Sequence, residues 1–232
     1  MFQRRRGLSL RSYDKFFKSP LIGVDEVGTG AIAGPIFAAG VVLPTACPWI
    51  LDALEKLGLR DSKRMGIGAK NRVYEVLTNE PRVQYWVEHR LPIEIEEQGH
   101  YECLGSMFND ILTNYTLACG QDGSMIVDGQ QNRHVKFRVE WVEGGDDKSM
   151  AVAAASVLAK IARDKHMESL AEHYPDWGFE KHKGYLTRDH QQALEKYGVC
   201  DEHRKNTDPV KKIIALRKSH PGVLQTSEKS NS

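Results

Sequence analysis

Apolar runs and alternations divide the first half of the chain into short extended segments. Leu21, Ile22 and Val24 make residues 20–27 a buried strand, and after a glycine-studded turn "PIFAAGVVLP" reads as a second. "VQYWVEHRL" predicts a third strand, and "SMIVDG" a short apolar strand ending in an acid and a glycine. "VKFRVEWVE" alternates, with Val135, Phe137, Val139 and Trp141 on one face and Lys136, Arg138 and Glu140 on the other; that pattern predicts a half-buried strand. Elsewhere helical spacing takes over. "KRMGIGAKNRVYEVLTN" is a modest helix, and residues 94–119 repeat Leu104, Met107, Phe108, Ile111, Tyr115 and Ala118 as one longer helix. "DDKSMAVAAASVLAKIARDKHMESLAEHY" predicts a long, Ala-rich helix started by acids, and further helices fall near 187–197 and 208–218. There is no internal repeat.

Strands mixed with helices predict an α/β fold, a central mixed sheet flanked by helices. The chain divides into a basic N-terminal arm (1–19), a main domain (20–200), a basic helical C-terminal extension (201–220) and a disordered tail (221–232) ending in "TSEKSNS".

Composition changes this picture little; charge distribution changes it more. Of 232 residues 41% are hydrophobic and 27% charged, an ordinary globular balance, and the net charge of +1 names no partner. Both ends are basic, however. Arg4, Arg5, Arg6, Arg11, Lys15 and Lys18 face only Asp14, and Arg204, Lys205, Lys211, Lys212, Arg217 and Lys218 face only Asp208. Basic ends around an acidic centre fit an enzyme of nucleic acid that uses acids for chemistry. Solvated surface charge explains either end alone equally well. Cys47, Cys103, Cys119 and Cys200 are scattered, which argues against a zinc site or disulfide scaffold and for a reducing, cytoplasmic compartment. No segment is apolar enough to span a membrane, and the Arg-rich start lacks the apolar core of a secretory signal.

Three places set carboxylates at the ends of buried elements: Asp25-Glu26 after the first strand, Asp128 after "SMIV", and Asp146-Asp147 before the long helix. Asp128-Gly129 alone reads equally as a turn, and Asp146 or Asp147 as a helix N-cap. Two adjacent acids beside an apolar strand are harder to explain structurally. The glycines that follow are spaced GxGxxxG rather than GxGxxG, and the acids would repel a pyrophosphate, so a dinucleotide loop is disfavoured. Taken together the acids suit a metal cradle. Crowded carboxylates repel unless a cation compensates, and oxygen-only ligands select Mg²⁺ or Mn²⁺. Two such ions, about 3.5–4 Å apart, can clamp a phosphodiester displacement.

The chain resembles ribonuclease HII, the type 2 ribonuclease H family, through an ordered series: "GVDEVGTGAIAGP", "LRDSKRM", "MIVDG", "GGDDKSMAVAAASVLAKIARD", "HKGYLTRDH" and "YGVCDEHR". The resemblance implies a ribonuclease H-like fold and a monomeric endonuclease that cuts the RNA strand of RNA–DNA hybrids, and ribonucleotides embedded in duplex DNA. It further implies a divalent metal cofactor and 5′-phosphate and 3′-hydroxyl products. Carried over by position, the four acids are Asp25, Glu26, Asp128 and, counting back from Ala154-Ala155-Ser156, Asp146 rather than Asp147. Lys63 of "DSK" takes the place of a phosphate-contacting lysine, and Tyr185 of "HKGY" that of a tyrosine packing on the sugar at an RNA–DNA junction. Gly28 and Gly30 would let the backbone approach the ribose, whose 2′-hydroxyl distinguishes RNA from DNA. The usual family turn is Gly-Arg-Gly; here it is Gly28-Thr29-Gly30, closer to the sister family ribonuclease HIII. A ribonuclease HIII-like need for runs of ribonucleotides is therefore the alternative enzymatic reading. A non-catalytic hybrid-binding protein is the alternative outside enzymes, disfavoured because pure binding favours basic residues where these acids stand.

Overall fold

In a computed structural model, residues 9–60 and 62–219 are described. In chain order the elements are α1 (Leu10–Asp14), β1 (Leu21–Val27), β2 (Ile36–Val42), α2 (Pro48–Lys56), a 3-10 turn (Ser62–Arg64), α3 (Ile67–Asn79), β3 (Gln84–Arg90), α4 (Pro92–Gln98), α5 (His100–Cys119), β4 (Ser124–Asp128), β5 (Glu140–Val142), a second 3-10 turn (Gly145–Asp147), α6 (Met150–His173), α7 (Phe179–His182), α8 (Arg188–Tyr197) and α9 (Asp208–Ser219). Five strands form one mixed sheet in the order β3-β2-β1-β4-β5. β3, β2 and β1 are antiparallel, whereas β4 and β5 run parallel to β1.

Helices cover both faces, which is why β1 and β2 read as continuous apolar runs. Ile22, Val24, Ile36, Ala38 and Val127 pack under Met107, Phe108, Ile111 and Leu112 of α5. On the other face Ala39 and Val41 meet α6, with Leu51 and Leu54 of α2 and Val73 and Leu77 of α3 closing the layer. Every residue from Met150 to Ala159 is buried, so the first half of α6 is a core helix without a solvent face. Its alanines let it approach β1 closely, and Gly23 completes the fit. A Cβ at Gly23 would lie 2.3 Å from the backbone of Ala151 and Val152.

Several expectations are corrected by the structure. The single helix over 94–119 is two, divided at Gly99, whose φ of 93° no other residue adopts easily. The strand read over "VKFRVEWVE" shrinks to Glu140–Val142. Val135, Phe137, Val139 and Trp141 do pack against the α5 core, but the neighbouring backbone is held by a side chain instead of a strand. Asn109 donates to the His134 carbonyl and accepts from the Lys136 N–H, both at 2.8 Å. Alternation reports a buried face; it does not report a pairing partner. The long helix begins after Ser149, whose hydroxyl accepts from the Val152 N–H, so neither Asp146 nor Asp147 is its N-cap. The short helices α1, α2 and α7 carry no pattern that the sequence reading separated from loop.

The ends are built in. Tyr13 and Phe17 pack on Leu21, Ile126 and Val142, and the Asp14 carboxylate accepts from the Ala151 N–H at 3.0 Å. Val210 of α9 and Leu194 of α8 pack on Ile32. Arg217 donates to the Lys196 and Glu195 carbonyls, capping α8. Residues 1–8 and the tail beyond 219, with the Arg4–Arg6 cluster and "TSEKSNS", lie outside the described residues. Among the described residues no helix is long and apolar enough to cross a membrane.

Gly23→Ala should lower stability by about 2 kcal/mol or more, because helix and strand backbones must part to admit one methyl. Gly30→Ala, with nothing within 4 Å of its added Cβ, should be near neutral. Urea denaturation midpoints of the two variants check this.

Candidate active site

The parallel pairing of β1 and β4 sets two carboxylates side by side. Val24 pairs with Val127, so Asp25 and Asp128 follow at adjacent carboxyl ends. β5 comes next, Asp128 facing Val142, and the chain leaving β5 makes the turn that carries Asp146. The carboxyl ends of parallel strands are where open α/β sheets bind their ligands.

Each acid is held differently. Asp25 is buried and accepts from the Glu26 N–H at 2.8 Å and from the Ser156 hydroxyl. The Ser156 and Ser62 hydroxyls are themselves 2.9 Å apart, so α6 and the first 3-10 turn converge on this carboxylate. Asp128 accepts from the Gly145 N–H at 2.6 Å. Asp146 is buried, whereas Asp147 is exposed and pairs with Arg64 at 3.1 Å.

The acids feel one another. Burial, then the charges of Glu26 and Asp128, push the Asp25 carboxyl well above its usual range. Glu26 is pushed up to about 7 by burial and by Asp128, with Asp146 adding to the rise and the Lys63 ammonium opposing it. Four carboxylates and one lysine therefore share a local field. Among the described residues no three His, Cys, Asp or Glu side chains are drawn into metal-ligand geometry. The arrangement is an open charge cluster, and its all-oxygen donors and excess negative charge fit a hard divalent cation.

Beside the acids lies the glycine turn. Gly28 has φ 89°, and a Cβ there would sit 2.2 Å from Nε of Arg163. Thr29 and Gly30 are exposed. Lys63 is also exposed, on its 3-10 turn. Tyr185 is half-buried, its ring centroid 5.3 Å from the Arg163 guanidinium carbon. Its loop is sewn to the glycine turn by the Gly184 carbonyl, which accepts from the N–H groups of Ile32 and Ala33. A chain of buried histidines secures it from behind. His190 Nδ1 donates to the Tyr185 carbonyl at 2.9 Å, His203 Nε2 donates to His190 Nε2 at 3.1 Å, and His203 Nδ1 accepts from the Cys200 N–H. That tautomer assignment follows from the network and requires both rings neutral. Burial agrees with it, pushing His190 down to about 4 and His203 to about 3.

Comparison with known proteins decides what this arrangement belongs to. The Ribonuclease HII family model matches residues 22–210. The chain belongs to the ribonuclease HII family. A ribonuclease HII of Endomicrobium trichonymphae is 36% identical over 221 residues, covering 94% of this chain and 99% of that protein. The crystal structure of the ribonuclease H2 from Pyrococcus horikoshii OT3 superposes with a TM-score of 0.67 at 23% identity, over 85% of this chain and 98% of that one. The structure of Bst-RNase HIII in complex with Mn²⁺ gives 0.71 at 18% identity, over 94% of this chain and 77% of that one. Both solved structures place the sheet and its helices in the ribonuclease H-like fold. The ribonuclease HII activity, endonucleolytic hydrolysis of RNA in RNA–DNA hybrids, comes with the family.

Within this ribonuclease HII the sequence reading passed over Ser62, Ser156, Arg163, Arg204 and the pair His190 and His203. All of them stand in stretches that carried the family resemblance, yet nothing in a linear motif says which members touch. Replacing Asp128 tests the shared field. A folded-state carboxyl raised above its unfolded value contributes stability below the unfolded value that is lost as pH rises through the folded one. For Glu26 that window runs from 4.5 to about 7. With chelator present, Asp128→Asn should therefore stabilise the fold at pH 8 by on the order of 1 kcal/mol and much less at pH 5. Chemical denaturation at the two pH values measures the difference.

Proposed function

We propose that Asp25, Glu26, Asp128 and Asp146 together hold the divalent metal, Mg²⁺ or Mn²⁺, at which this ribonuclease HII cleaves its substrate. The observation that carries this reading is the convergence of the acids at the carboxyl ends of β1 and β4 and on the turn after β5, where burial and then the Asp128 charge lift Glu26 to about 7. Bound there, a pair of divalent ions would supply an activated water and neutralise charge on the scissile phosphate. The chain's own groups orient the site. Ser156 and the Glu26 N–H fix Asp25, the Gly145 N–H fixes Asp128, and exposed Lys63 stands where a phosphate oxygen could reach it. Gly28, Thr29 and Gly30 would face the ribose, and the Tyr185 ring the sugar on its far side. The substrates are RNA–DNA hybrid and duplex DNA containing ribonucleotides, and the enzyme acts as a monomer. Exposed Lys211, Lys212 and Lys218 of α9 would bind flanking phosphates.

Asp25→Asn, Glu26→Gln, Asp128→Asn and Asp146→Asn should each reduce cleavage of labelled hybrid at least about a hundredfold and remove the thermal shift that Mg²⁺ gives the wild type. Asp147→Asn should keep both. A dead Asp147→Asn beside an active Asp146→Asn would move the fourth acid to Asp147.

Thr29 stands where the usual family turn has arginine, so a charge-assisted hydrogen bond of roughly 1.5–3 kcal/mol is missing. A lone ribonucleotide should consequently be cut about tenfold to a hundredfold more slowly than a run of four. Thr29→Arg should narrow that gap and Tyr185→Ala should widen it. A wild type that ignores the lone ribonucleotide, with no rescue by Thr29→Arg, favours the ribonuclease HIII-like alternative.

Replacing Lys211, Lys212 and Lys218 by Gln should flatten the salt dependence of hybrid binding by about one log–log unit for each phosphate that is no longer neutralised. Arg217→Ala should instead lower stability and leave the slope unchanged, because its guanidinium already caps α8.

A further inference from the structure

Two arginines lie in the core behind the glycine turn. Arg163 of α6 is fully buried and Arg204 nearly so, at 2% exposure. Among the described residues neither has an acid within ion-pair distance. They are near enough to repel each other, and burial followed by Arg163 lowers Arg204 to about 9. Each keeps one terminal nitrogen, Nη1 of Arg163 and Nη2 of Arg204, buried with no hydrogen-bond partner among the described residues. Uncompensated buried charge is strongly unfavourable, and apolar side chains of similar volume hold loops at least as well. Stability alone does not account for this pair.

What the two guanidiniums grip is specific. Arg163 donates through Nε to the Pro35 carbonyl at 2.9 Å and through Nη2 to the Ala33 carbonyl at 3.3 Å. Arg204 donates through Nε to the Gly34 carbonyl at 2.9 Å and through Nη1 to the Thr29 carbonyl at 3.3 Å. Every target is a backbone carbonyl of the segment 29–35 that leads out of the glycine turn. A trans peptide directs its C=O and N–H to opposite sides. Holding the Thr29 carbonyl inward therefore turns the Gly30 N–H outward, where Gly30 is exposed and, apart from its chain neighbours, no described atom lies within 4 Å of its would-be Cβ. Arg163 also lies against the Tyr185 ring.

We infer that Arg163 and Arg204 are positioning residues for ribose recognition: they fix the Thr29–Gly30 peptide, with its N–H outward, at a set distance from the Tyr185 ring. This rests on the proposed assignment of the glycine turn and Tyr185 to substrate. The hydrogen bonds of both guanidiniums go to backbone carbonyls of 29–35. They act through the turn, so their loss should blunt discrimination between ribose and deoxyribose and leave the carboxylate cluster intact.

The test uses the full chain carrying Asp25→Asn, so that binding is read without cleavage. Affinities are measured for one duplex with a single ribonucleotide and for the same duplex all in DNA, with Arg204 intact or replaced by Lys or Met. The parent should prefer the ribonucleotide duplex. Arg204→Met should bring that preference down about tenfold toward equality with little change in binding to DNA, and Arg204→Lys should restore part of it. In active enzyme the same change should raise KM for the single-ribonucleotide duplex about tenfold, alter kcat less than about threefold, and keep the Mg²⁺ thermal shift. Arg163→Lys should behave as Arg204→Lys does. An unchanged preference overturns the inference. So does a uniform loss of binding to both duplexes, a lost Mg²⁺ shift, or failure of both Arg204 variants to fold, since each marks a merely structural arginine. A parent with no preference between the duplexes would instead count against the proposed recognition site itself.

Discussion

The close seating of α6 on β1 is the interaction on which the rest depends. Gly23 meets the backbone of Ala151 and Val152 with no room for a methyl. Along the same helix Ser149, Ser156 and Arg163 recur every seven residues, two turns apart, and so share one face. Ser149 caps the helix, Ser156 bonds Asp25, and Arg163 lies under Gly28. Lifting the helix by one side chain would loosen the last two at once. A single packing distance therefore sets both the carboxylate cluster and the loop beside it.

That rigidity is used to hold charge in unfavourable places. Asp25 is raised by burial and by Glu26 and Asp128, and Glu26 by burial and by Asp128, while Arg163 and Arg204 are buried with no ion pair among the described residues. Ser156 and Arg163 stand seven positions apart, a rise of about 10 Å along the helix, and Arg163 spends its donors on the Pro35 and Ala33 carbonyls instead of on the acids. Each charge type remains available to its own partners, the acids toward the cleft and the guanidiniums toward backbone carbonyls. A more stable protein would pair or remove them, and destabilised polar groups maintained inside a rigid frame are characteristic of sites under functional selection.

The layers of the fold were legible where burial is two-sided. β1, β2, α5 and α6 are marked by runs or periods of apolar residues, and these are the elements that position the cleft. The segment 135–139 misled because its alternating face is buried while its backbone is taken by Asn109, a long-range partner that no local pattern records. Gly99 misled for the opposite reason. The apolar period continues across it, and only its positive φ divides the helix. For the site, the carboxylates stood out because two adjacent acids after an apolar strand have no cheap structural explanation. Ser156 and Arg204 stood in plain sight within motifs, but a serine in an Ala-rich helix and an arginine in a basic segment are each unremarkable until the fold sets them beside Asp25 and Thr29.

The C-terminal segment makes the same point about charge. Read linearly, Arg204, Lys211, Lys212, Arg217 and Lys218 are one basic run. Folded, they do different things. Arg204 is interior and grips the glycine turn, Arg217 closes the carboxyl end of α8, and the three lysines stay in solvent. The difference follows side-chain chemistry. A planar, weakly hydrated guanidinium can be buried against carbonyls through several donors, whereas a compact ammonium keeps its water. In this chain the arginines of the basic segment are spent on backbone carbonyls. The positive charge that the segment leaves in solvent is accordingly carried by lysine, and under the proposed reading lysine would meet phosphate as a point charge while the glycine turn and Tyr185 supply the geometric specificity.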